Sequence, residues 1–292
     1  MEYHKPVLLK ETIEALKVEP GKKYIDATLG DAGHTLEILK LGGEVLGIEI
    51  NEEALERAKE RIKKEGFENE FTGALGNFKN IETIAREKGF SKVNGIVYDL
   101  GYSSFELENM ELGLSFQLDE LLDMRLDKNL GVTAADLVNS LSEKDLSSLI
   151  FQYSDERMAR KIAKAIVDSR NLKKVQTTGD LVEIIKSVSS PGYERGRINP
   201  ATRTFQALRI VVNDEIENLK KSLPQAARLL LPGSVIVLIT FHSLEDKVAK
   251  DFSRCARPSV SEVNKKPLTP AEEEVRNNPR SRSAKLRAFE KI

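Results

Sequence analysis

The sequence predicts an α/β protein in which an all-helical domain is inserted into a parallel, doubly wound sheet. Over the first hundred residues, short apolar runs alternate with amphipathic segments of about 10 to 15 residues, which is the pattern of βαβ units. From about residue 105 to residue 199 no convincing strand occurs, and the α/β pattern resumes near residue 200. We therefore assign 1–104 and 200–292 to one discontinuous domain and 105–199 to the insert.

The first part of the α/β domain contains four predicted strands and three predicted helices. Each strand is a short apolar run, and the helices repeat apolar residues every three or four positions, as Leu55, Ala58 and Ile62 do. We place the strands at 22–28, 44–50, 69–75 and 93–101, and the helices at 34–42, 52–66 and 80–89.

The rest of the chain is predicted to be mostly helical. Amphipathic helices are expected over 133–170 and 177–189, then one long helix over 201–223 and a shorter one. A strand follows at 234–241, Ser243 and Asp246 form a predicted capping box, and LRAFE near the C-terminus is a candidate last strand. The long helix carries a core stripe of Phe205, Leu208, Val212, Ile216 and Leu219.

Composition restricts the class of protein. Of the 292 residues, 40% are hydrophobic and 31% are charged, which is ordinary for a globular chain. The single cysteine, Cys255, excludes an internal disulfide framework and a multi-cysteine zinc site, and it suits the reducing cytoplasm. We see no signal-peptide core and no run of roughly 18 apolar residues, so we expect a cytoplasmic protein without a membrane partner.

A glycine-containing turn follows the first predicted strand, in the stretch DATLGDAGH at 26–34. Gly30, Ala32 and Gly33 do not fit the G-x-G-x-x-G dinucleotide pattern, and no Gly-Lys-Ser/Thr follows to form a phosphate loop. The second strand ends near Glu49, where a carboxylate can accept both hydroxyls of a ribose. The pattern favours a nucleoside cofactor such as S-adenosylmethionine. Tight strand–helix packing with two surface acids is the alternative.

The fourth predicted strand ends in DLGYSS and places Asp99 at the same edge of the sheet. Methylating the exocyclic amine of a base requires mainly positioning, and acceptors for the amine protons favour the tetrahedral geometry that develops at nitrogen. Asp99 and the Leu100 carbonyl could be those acceptors. A turn or helix cap is an equally good interpretation of Asp99 taken alone.

Seven stretches together resemble the RsmH (MraW) family, and they run in family order over nearly the whole chain. Members of that family are S-adenosylmethionine-dependent, Rossmann-like class I methyltransferases that act on the exocyclic N4 amine of a cytosine in 16S ribosomal RNA. The longest and most specific matches are ATRTFQALRI and FHSLEDK. The seven stretches are HKPVLL, DATLGDAGH, DLGYSS, LLDMRLD, ATRTFQALRI, FHSLEDK and NPRSRSAKLR.

The resemblance implies roles for individual residues. Asp99 would lie between cofactor and target, and it would be catalytic together with Ser103. Asp31, Ala32, Asn51, Glu106 and the LGLSF segment depart from the usual family pattern. The residues implied to bind the cofactor are Gly30, Ala32, Gly33 and His34 at the methionine part, Glu49 at the ribose, Phe78 at the adenine, and Asp99 and Glu106.

Two basic features are candidates for RNA contact. The predicted long helix carries a polar stripe of Arg203, Gln206, Arg209 and Asn213, of which the first three are our candidates. Residues 275–292 have a net charge of +5 and include Arg280 and Arg282, whereas residues 99–127 have a net charge of −7. A solvated helix face and a solubilising tail are the alternatives.

The leading hypothesis is a methyltransferase whose partner is 16S rRNA in the small ribosomal subunit and whose reaction needs no metal. A non-catalytic ribosome-assembly factor that binds rRNA is the main alternative, and a nicotinamide dehydrogenase is disfavoured by the broken dinucleotide pattern. The sequence does not set the oligomeric state, and a homodimer is one option.

Overall fold

The computed structural model describes residues 3, 5–102, 112–190, 192–193 and 198–292. The chain divides into two compact units, one formed by Met1–Ser103 with Ile216–Ile292 and the other by Ser104–Glu215. The second junction lies about fifteen residues later than the predicted one near residue 200. The reason is that the helix Ala201–Val212 packs against helices of the second unit.

The first unit is an α/β sheet protein, as predicted. Its seven strands have the order β3-β2-β1-β4-β5-β7-β6, and β7 runs antiparallel to both of its neighbours while the other paired strands run parallel. The strands are β1 Lys23–Asp26, β2 Glu44–Glu49, β3 Phe71–Leu75, β4 Val93–Asp99, β5 Leu230–Thr240, β6 Val260–Glu262 and β7 Lys285–Lys291.

Helices cover both faces of this sheet, so its central strands are buried on both sides and read as continuous apolar runs. Alternate residues of β4 show this, because Ile96 packs in one core cluster and Val97 in the other. The helices of this unit are α1 Leu9–Leu16, α2 Gly33–Lys40, α3 Glu52–Lys64, α4 Ile81–Glu87, α10 Glu215–Leu229, α11 Ser243–Cys255 and α12 Glu272–Asn277, of which α10 begins one residue before the junction.

The second unit is helical in its described part, which is also as predicted. Three of its helices begin at side-chain caps, Thr133, Ser142 and Thr177. Its only described β pairing is an isolated bridge between Leu121 and Thr177. The helices are α5 Ala134–Ser140, α6 Glu143–Ser154, α7 Ala159–Arg170, α8 Thr178–Val188 and α9 Ala201–Val212.

The prediction of one long helix over 201–223 is wrong. The chain breaks after α9 because Asp214 adopts a left-handed conformation, with φ of 52°. Asn213, which is 6% exposed, donates to the carbonyls of Met124 and Arg209 at 2.7 and 3.0 Å and accepts from the N–H of Leu126 at 2.9 Å. The predicted shorter helix is instead the continuation of α10 through Pro224.

None of the described helices combines the length and the apolar composition that crossing a bilayer requires.

Candidate active site

Three carboxyl groups end three neighbouring strands at one edge of the sheet. Strand β2 ends on Glu49, β1 on Asp26 and β4 on Asp99, and these strands are adjacent in that order. Between β1 and β4 the strand order reverses, and open α/β sheets bind ligands outside the carboxyl ends of strands at that point. Glu49 and Asp26 are 6% and 2% exposed, and the Asp99 side chain is 15% exposed.

The turn after β1 brings backbone close to this edge. Gly30 has a φ of +48°, and none of the described residues would lie within 4 Å of a Cβ added there. Ala32 has a φ of 60°, which a glycine would adopt without strain. At Gly33 an added Cβ would lie 2.9 Å from the ring of Pro6, so only glycine lets the N-terminal segment approach this closely.

Glu49 ties this turn to the start of the next helix. Its Oε2 accepts the N–H of Gly30 at 3.0 Å, and its Oε1 accepts the N–H of Asn51 at 3.0 Å. Asn51 in turn caps α3 by accepting from the N–H of Ala54. Glu49 thus fixes the turn from the end of β2, the position at which a ribose-binding acid is expected.

Asp31, an atypical residue in the turn, is held by two arginines of α3. The Nε of Arg57 lies 2.7 Å from its Oδ1, and the guanidinium of Arg61 donates to its backbone carbonyl. The ring of Tyr3 lies against both guanidinium groups, at 4.7 and 4.3 Å from the ring centre. This clamp fixes the turn from outside and was not predicted from the sequence.

Asp99 is held in place through its backbone and one carboxylate oxygen. Its N–H donates to the hydroxyl of Thr28 at 2.7 Å, and its Oδ1 accepts from the N–H of Gly101 at 3.3 Å. Burial raises the pKa of the Asp99 carboxyl to about 7, and repulsion from Glu245 acts in the same direction. The carboxyl therefore exchanges protons near neutral pH.

His34 faces the other oxygen of this carboxyl group. Its Nε2 lies 3.1 Å from the carbonyl of Val7, and its Nδ1 lies 3.8 Å from the Oδ2 of Asp99. Because a carbonyl can only accept, we assign the proton to Nε2 and a lone pair to Nδ1. Burial lowers the pKa of His34, which keeps the ring neutral.

Asp26 completes a buried polar network beneath these groups. Its two oxygens accept from the hydroxyl of Thr35 at 2.7 Å and the N–H of Thr28 at 3.2 Å, and burial raises its pKa. Asp26 and Thr28 were not predicted as site residues, although they lie inside the quoted glycine stretch, next to a predicted strand end. The network links β1, α2 and β4 rigidly.

Phe78 is the remaining predicted cofactor residue that the structure describes. Phe78 lies in a 3₁₀ turn after β3, where its ring stacks edge-on against Tyr98 with 5.8 Å between ring centres. Its carbonyl accepts from the hydroxyl of Ser222 at 2.8 Å, which fixes the turn against α10. Ser103 and Glu106 lie outside the described residues.

The polar stripe predicted on α9 is not uniformly solvated. Arg209 makes two hydrogen bonds to the carboxylate of Glu215, at 2.9 and 3.1 Å, and Asn213 is buried as described above. Arg203 and Gln206 are half-buried. Arg209 is thus already engaged by a carboxylate, which any phosphate ligand would have to displace.

The basic C-terminal segment is largely part of the sheet. LRAFE is a strand, as predicted, and β7 lies between β5 and β6 rather than forming a tail. Arg287 is 5% exposed and pairs with Asp246 at 2.7 Å. Arg280 and Arg282 are exposed in the 3₁₀ turn that precedes this strand.

The predicted capping box at the start of α11 is wrong by one residue. The cap is His242, whose Nδ1 accepts from the N–H of Glu245 at 3.4 Å while the Glu245 carboxylate accepts from the N–H of His242 at 3.2 Å. Asp246 pairs instead with Arg287 and Lys250.

Comparison with known proteins places this geometry in a family. The sequence profile described as the MraW methylase family matches residues 1–292. The chain belongs to the MraW methylase family. This confirms the resemblance carried by the seven sequence stretches.

Relatives in this family match nearly end to end. The ribosomal RNA small subunit methyltransferase H of Sulfurihydrogenibium sp. is 42% identical over 99% of this chain and 99% of its own length. The protein of the same name from Carboxydothermus hydrogenoformans is 44% identical over 99% and 98%. Among solved structures, an rRNA methylase from Streptococcus thermophilus aligns over 99% of this chain and 98% of its own, with 10% identity and a TM-score of 0.49.

Proposed function

We propose that this MraW family member transfers a methyl group from S-adenosylmethionine to the exocyclic N4 amine of a cytosine in 16S rRNA of the small ribosomal subunit. The observation that carries the proposal is the position of Asp99, a carboxyl group with 15% side-chain exposure at the end of β4 beside the glycine turn of β1. The names of the relatives support rRNA as the substrate class. A cytoplasmic location belongs to the proposal, because a bacterial ribosomal subunit would be met there.

The residues at this edge of the sheet fit the proposed cofactor. The carboxylate of Glu49 ends β2, where an acid can accept ribose hydroxyls, and no described residue would lie within 4 Å of a Cβ at Gly30. The strands beside the turn end on the carboxyl groups of Asp26, Glu49 and Asp99, which suits a cofactor with a cationic sulfonium. Phe78 offers an aromatic ring near the end of β3, where an adenine could pack.

S-adenosylmethionine, when bound, supplies a methyl group on a positively charged sulfur, which an aligned nucleophile can displace directly. Asp99 accepts a hydrogen bond from the target amine and so orients its lone pair toward the methyl carbon. Displacement at that methyl carbon would form the N–C bond and leave the electron pair of the C–S bond on the departing sulfur, so the methylated amine would be cationic. The ionised Asp99 carboxylate then takes up one amine proton, leaving a neutral methylated amine.

His34 serves this step as a positioning residue. The Oδ2 of Asp99 and the Nδ1 of His34 lie 3.8 Å apart, which is longer than a hydrogen bond, and a small approach would let a protonated Asp99 donate to the Nδ1 lone pair. The Nε2–H of His34 is hydrogen-bonded to the carbonyl of Val7, which keeps Nδ1 available as an acceptor.

The target base must leave its stack to reach the Asp99 carboxyl, which favours an unpaired or distorted rRNA site.

Asp99→Asn tests the proposal, because it keeps the shape of the side chain and turns one acceptor into a donor. Losing a well-placed electrostatic contact to a transition state costs about a hundredfold to a thousandfold in rate. We expect that loss in single-turnover methyl transfer to small ribosomal subunits at saturating cofactor. Cofactor affinity, measured separately by calorimetry, should change by less than about tenfold.

Asp99→Ala is the companion variant, and it should be similarly slow because it also lacks the acceptor. Near wild-type transfer in Asp99→Asn would remove the amine-positioning role from this residue. A wild-type protein that binds S-adenosylmethionine and rRNA but methylates no base would favour the non-catalytic assembly factor instead.

A further inference from the structure

The exposed side of α7, in the helical unit, carries a basic surface that the sequence analysis did not single out. Arg160, Lys161 and Lys164 share one face of the helix by their spacing, and Arg157 precedes its first turn. All four side chains are exposed. We call this set the α7 stripe. The opposite face of α7 is buried through Ala159, Ile162, Ala163 and Ile166.

Little negative charge neutralises the α7 stripe. Lys164 pairs with Asp168 at 2.8 Å, whereas Arg157, Arg160 and Lys161 have no carboxylate within 4.0 Å in the described parts of the chain. Residues 157–174 contain seven basic residues and one acid, a net charge of +6 in a chain whose total is −1. The stripe is therefore a local basic patch on a protein with no overall positive charge.

This arrangement opposes helix stability. Basic residues at a helix N-terminus interact unfavourably with the helix dipole, and acids or caps are preferred there. Helices α5, α6 and α8 each have a side-chain cap and an acid in the first turn, whereas α7 has neither. A locally unfavourable choice of this kind is expected where function requires it.

One carboxylate near the start of α7, that of Glu156, is buried and does not face the solvent on the side of the α7 stripe. Glu156 is fully buried, accepts the N–H of Met158 at 2.7 Å and accepts the hydroxyl of Tyr193. Of the charged residues 155–161 at this end of the helix, Asp155 is exposed and acidic, and the other exposed ones are basic.

Arg203 of α9 reaches the same end of α7. One of its guanidinium nitrogens lies 3.4 Å from the carbonyl of Asp155, which closes α6 two residues before Arg157. The sequence had suggested Arg203 as an RNA contact on other grounds. The basic surface thus spans the start of α7 and one side of α9.

We propose that the α7 stripe, together with Arg203, binds the phosphate backbone of the rRNA substrate. The inference rests on the proposed function and assigns it a binding surface in the helical unit. Arginine and lysine side chains on a packed helix are suited to phosphate oxygens and carry no sequence preference by themselves. A membrane surface fits less well, because the apolar face of α7 is buried in the unit and cannot insert into lipid.

The test compares two triple variants of the full-length protein. Arg157→Ala/Arg160→Ala/Lys161→Ala removes three charges of the α7 stripe, and alanine keeps the helix favourable. The control Lys63→Ala/Lys64→Ala/Lys88→Ala removes three exposed charges from the α/β unit. Binding to 16S rRNA is measured from about 50 to 300 mM KCl, because each phosphate contact contributes about 0.7 to 0.9 to the slope of log K against log salt.

The stripe variant should lose about 2 from the magnitude of that slope and about tenfold or more in affinity at the lower salt concentrations. The control should lose less than about 1, and Arg157→Lys/Arg160→Lys should keep the wild-type slope because it keeps the charge. Equal slopes for the two triple variants would overturn the proposal. So would unchanged rRNA binding combined with lost binding to vesicles of anionic lipid, which would assign the stripe to a membrane.

The same preparations separate this inference from the proposed function. Calorimetry with S-adenosylmethionine should give the same cofactor affinity for both triple variants as for the wild type. If the wild type methylates small subunits and the slopes are equal, only the α7 stripe assignment fails. If the wild type methylates no RNA, the proposed function fails, and the slope comparison still decides whether the stripe contacts phosphate.

Discussion

Asp99 combines burial with a position at the end of β4, and the folding stability should report its protonation. The pKa of its carboxyl is about 7 in the folded chain, against an ordinary value of 3.8 for an exposed aspartate. A raised pKa stabilises the fold fully below the unfolded value, and that contribution is lost as the pH rises through about 7. The groups facing this carboxyl are His34 and, more distantly, Glu245 and Asp26.

Asp99→Asn mimics the protonated carboxyl, so its advantage should grow as the pH rises from about 4 to about 7. We expect wild type and variant to have similar free energies of unfolding at about pH 4. At about pH 8 the variant should be more stable by on the order of 4 kcal/mol. Urea denaturation at both pH values measures this. A stability difference that does not change with pH would mean that Asp99 titrates as an ordinary exposed carboxyl.

Some site residues could be predicted from the sequence, and others could not. Glu49 and Asp99 follow apolar strand segments, so their positions at the sheet edge follow from strand order alone. The proton position on His34 depends on the Val7 carbonyl, and the clamp on Asp31 depends on Arg57, 26 residues away. Contacts of this kind depend on packing between elements and leave no periodic signal in the sequence.

At the scale of elements, the break between α9 and α10 shows where periodicity misleads. The apolar spacing from Phe205 to Leu219 continues through the junction, so the pattern predicts one helix. The structure assigns Phe205 and Leu219 to different units, and the left-handed Asp214 separates the two helices. Aspartate tolerates the left-handed conformation better than most residues. This sequence signal for a helix break is weak, and the hydrophobic periodicity, which predicts a continuous helix, is stronger.

Asn213→Ala should reveal that this polar position is structural. The substitution leaves the buried carbonyl of Met124 and the N–H of Leu126 without their partner, which should lower the free energy of unfolding by about 2–3 kcal/mol. Gln206→Ala, on the same predicted stripe, is the control and should cost less than about 1 kcal/mol. Chemical denaturation compares the two variants. Equal small losses of stability would mean that Asn213 is a solvated residue of the polar stripe rather than a structural one.

The C-terminal segment shows that amino-acid composition alone does not predict whether a basic segment is a tail or part of the sheet. Its excess of basic residues indicated a tail, but Lys285–Lys291 is a strand with four consecutive buried residues, and Arg287 is used in a buried ion pair. Removing residues 272–292 would take β7 out of the middle of the sheet. Any RNA contact in this region is therefore examined by substituting Arg280 and Arg282, which leaves the strand intact.

At the scale of the whole molecule, the near-zero net charge conceals a strong segregation of charge. The chain totals −1, whereas residues 157–174 carry +6 and residues 99–127 carry −7. Such segregation suits an enzyme that must attract a polyanion at one surface and hold a cationic cofactor at another. The sequence showed the charges, but which of them are exposed follows only from the packing of α7 and β7.

The most direct measurement of the central claim is mass spectrometry of 16S rRNA after small ribosomal subunits are incubated with this protein and methyl-labelled S-adenosylmethionine. The subunits should come from a strain that lacks the modification, and Asp99→Asn is the matched control. We predict that one cytosine of 16S rRNA gains one labelled methyl group on its N4 amine, and that the control transfers far less. Label on another base, on a ribose or on no RNA at all would contradict the account.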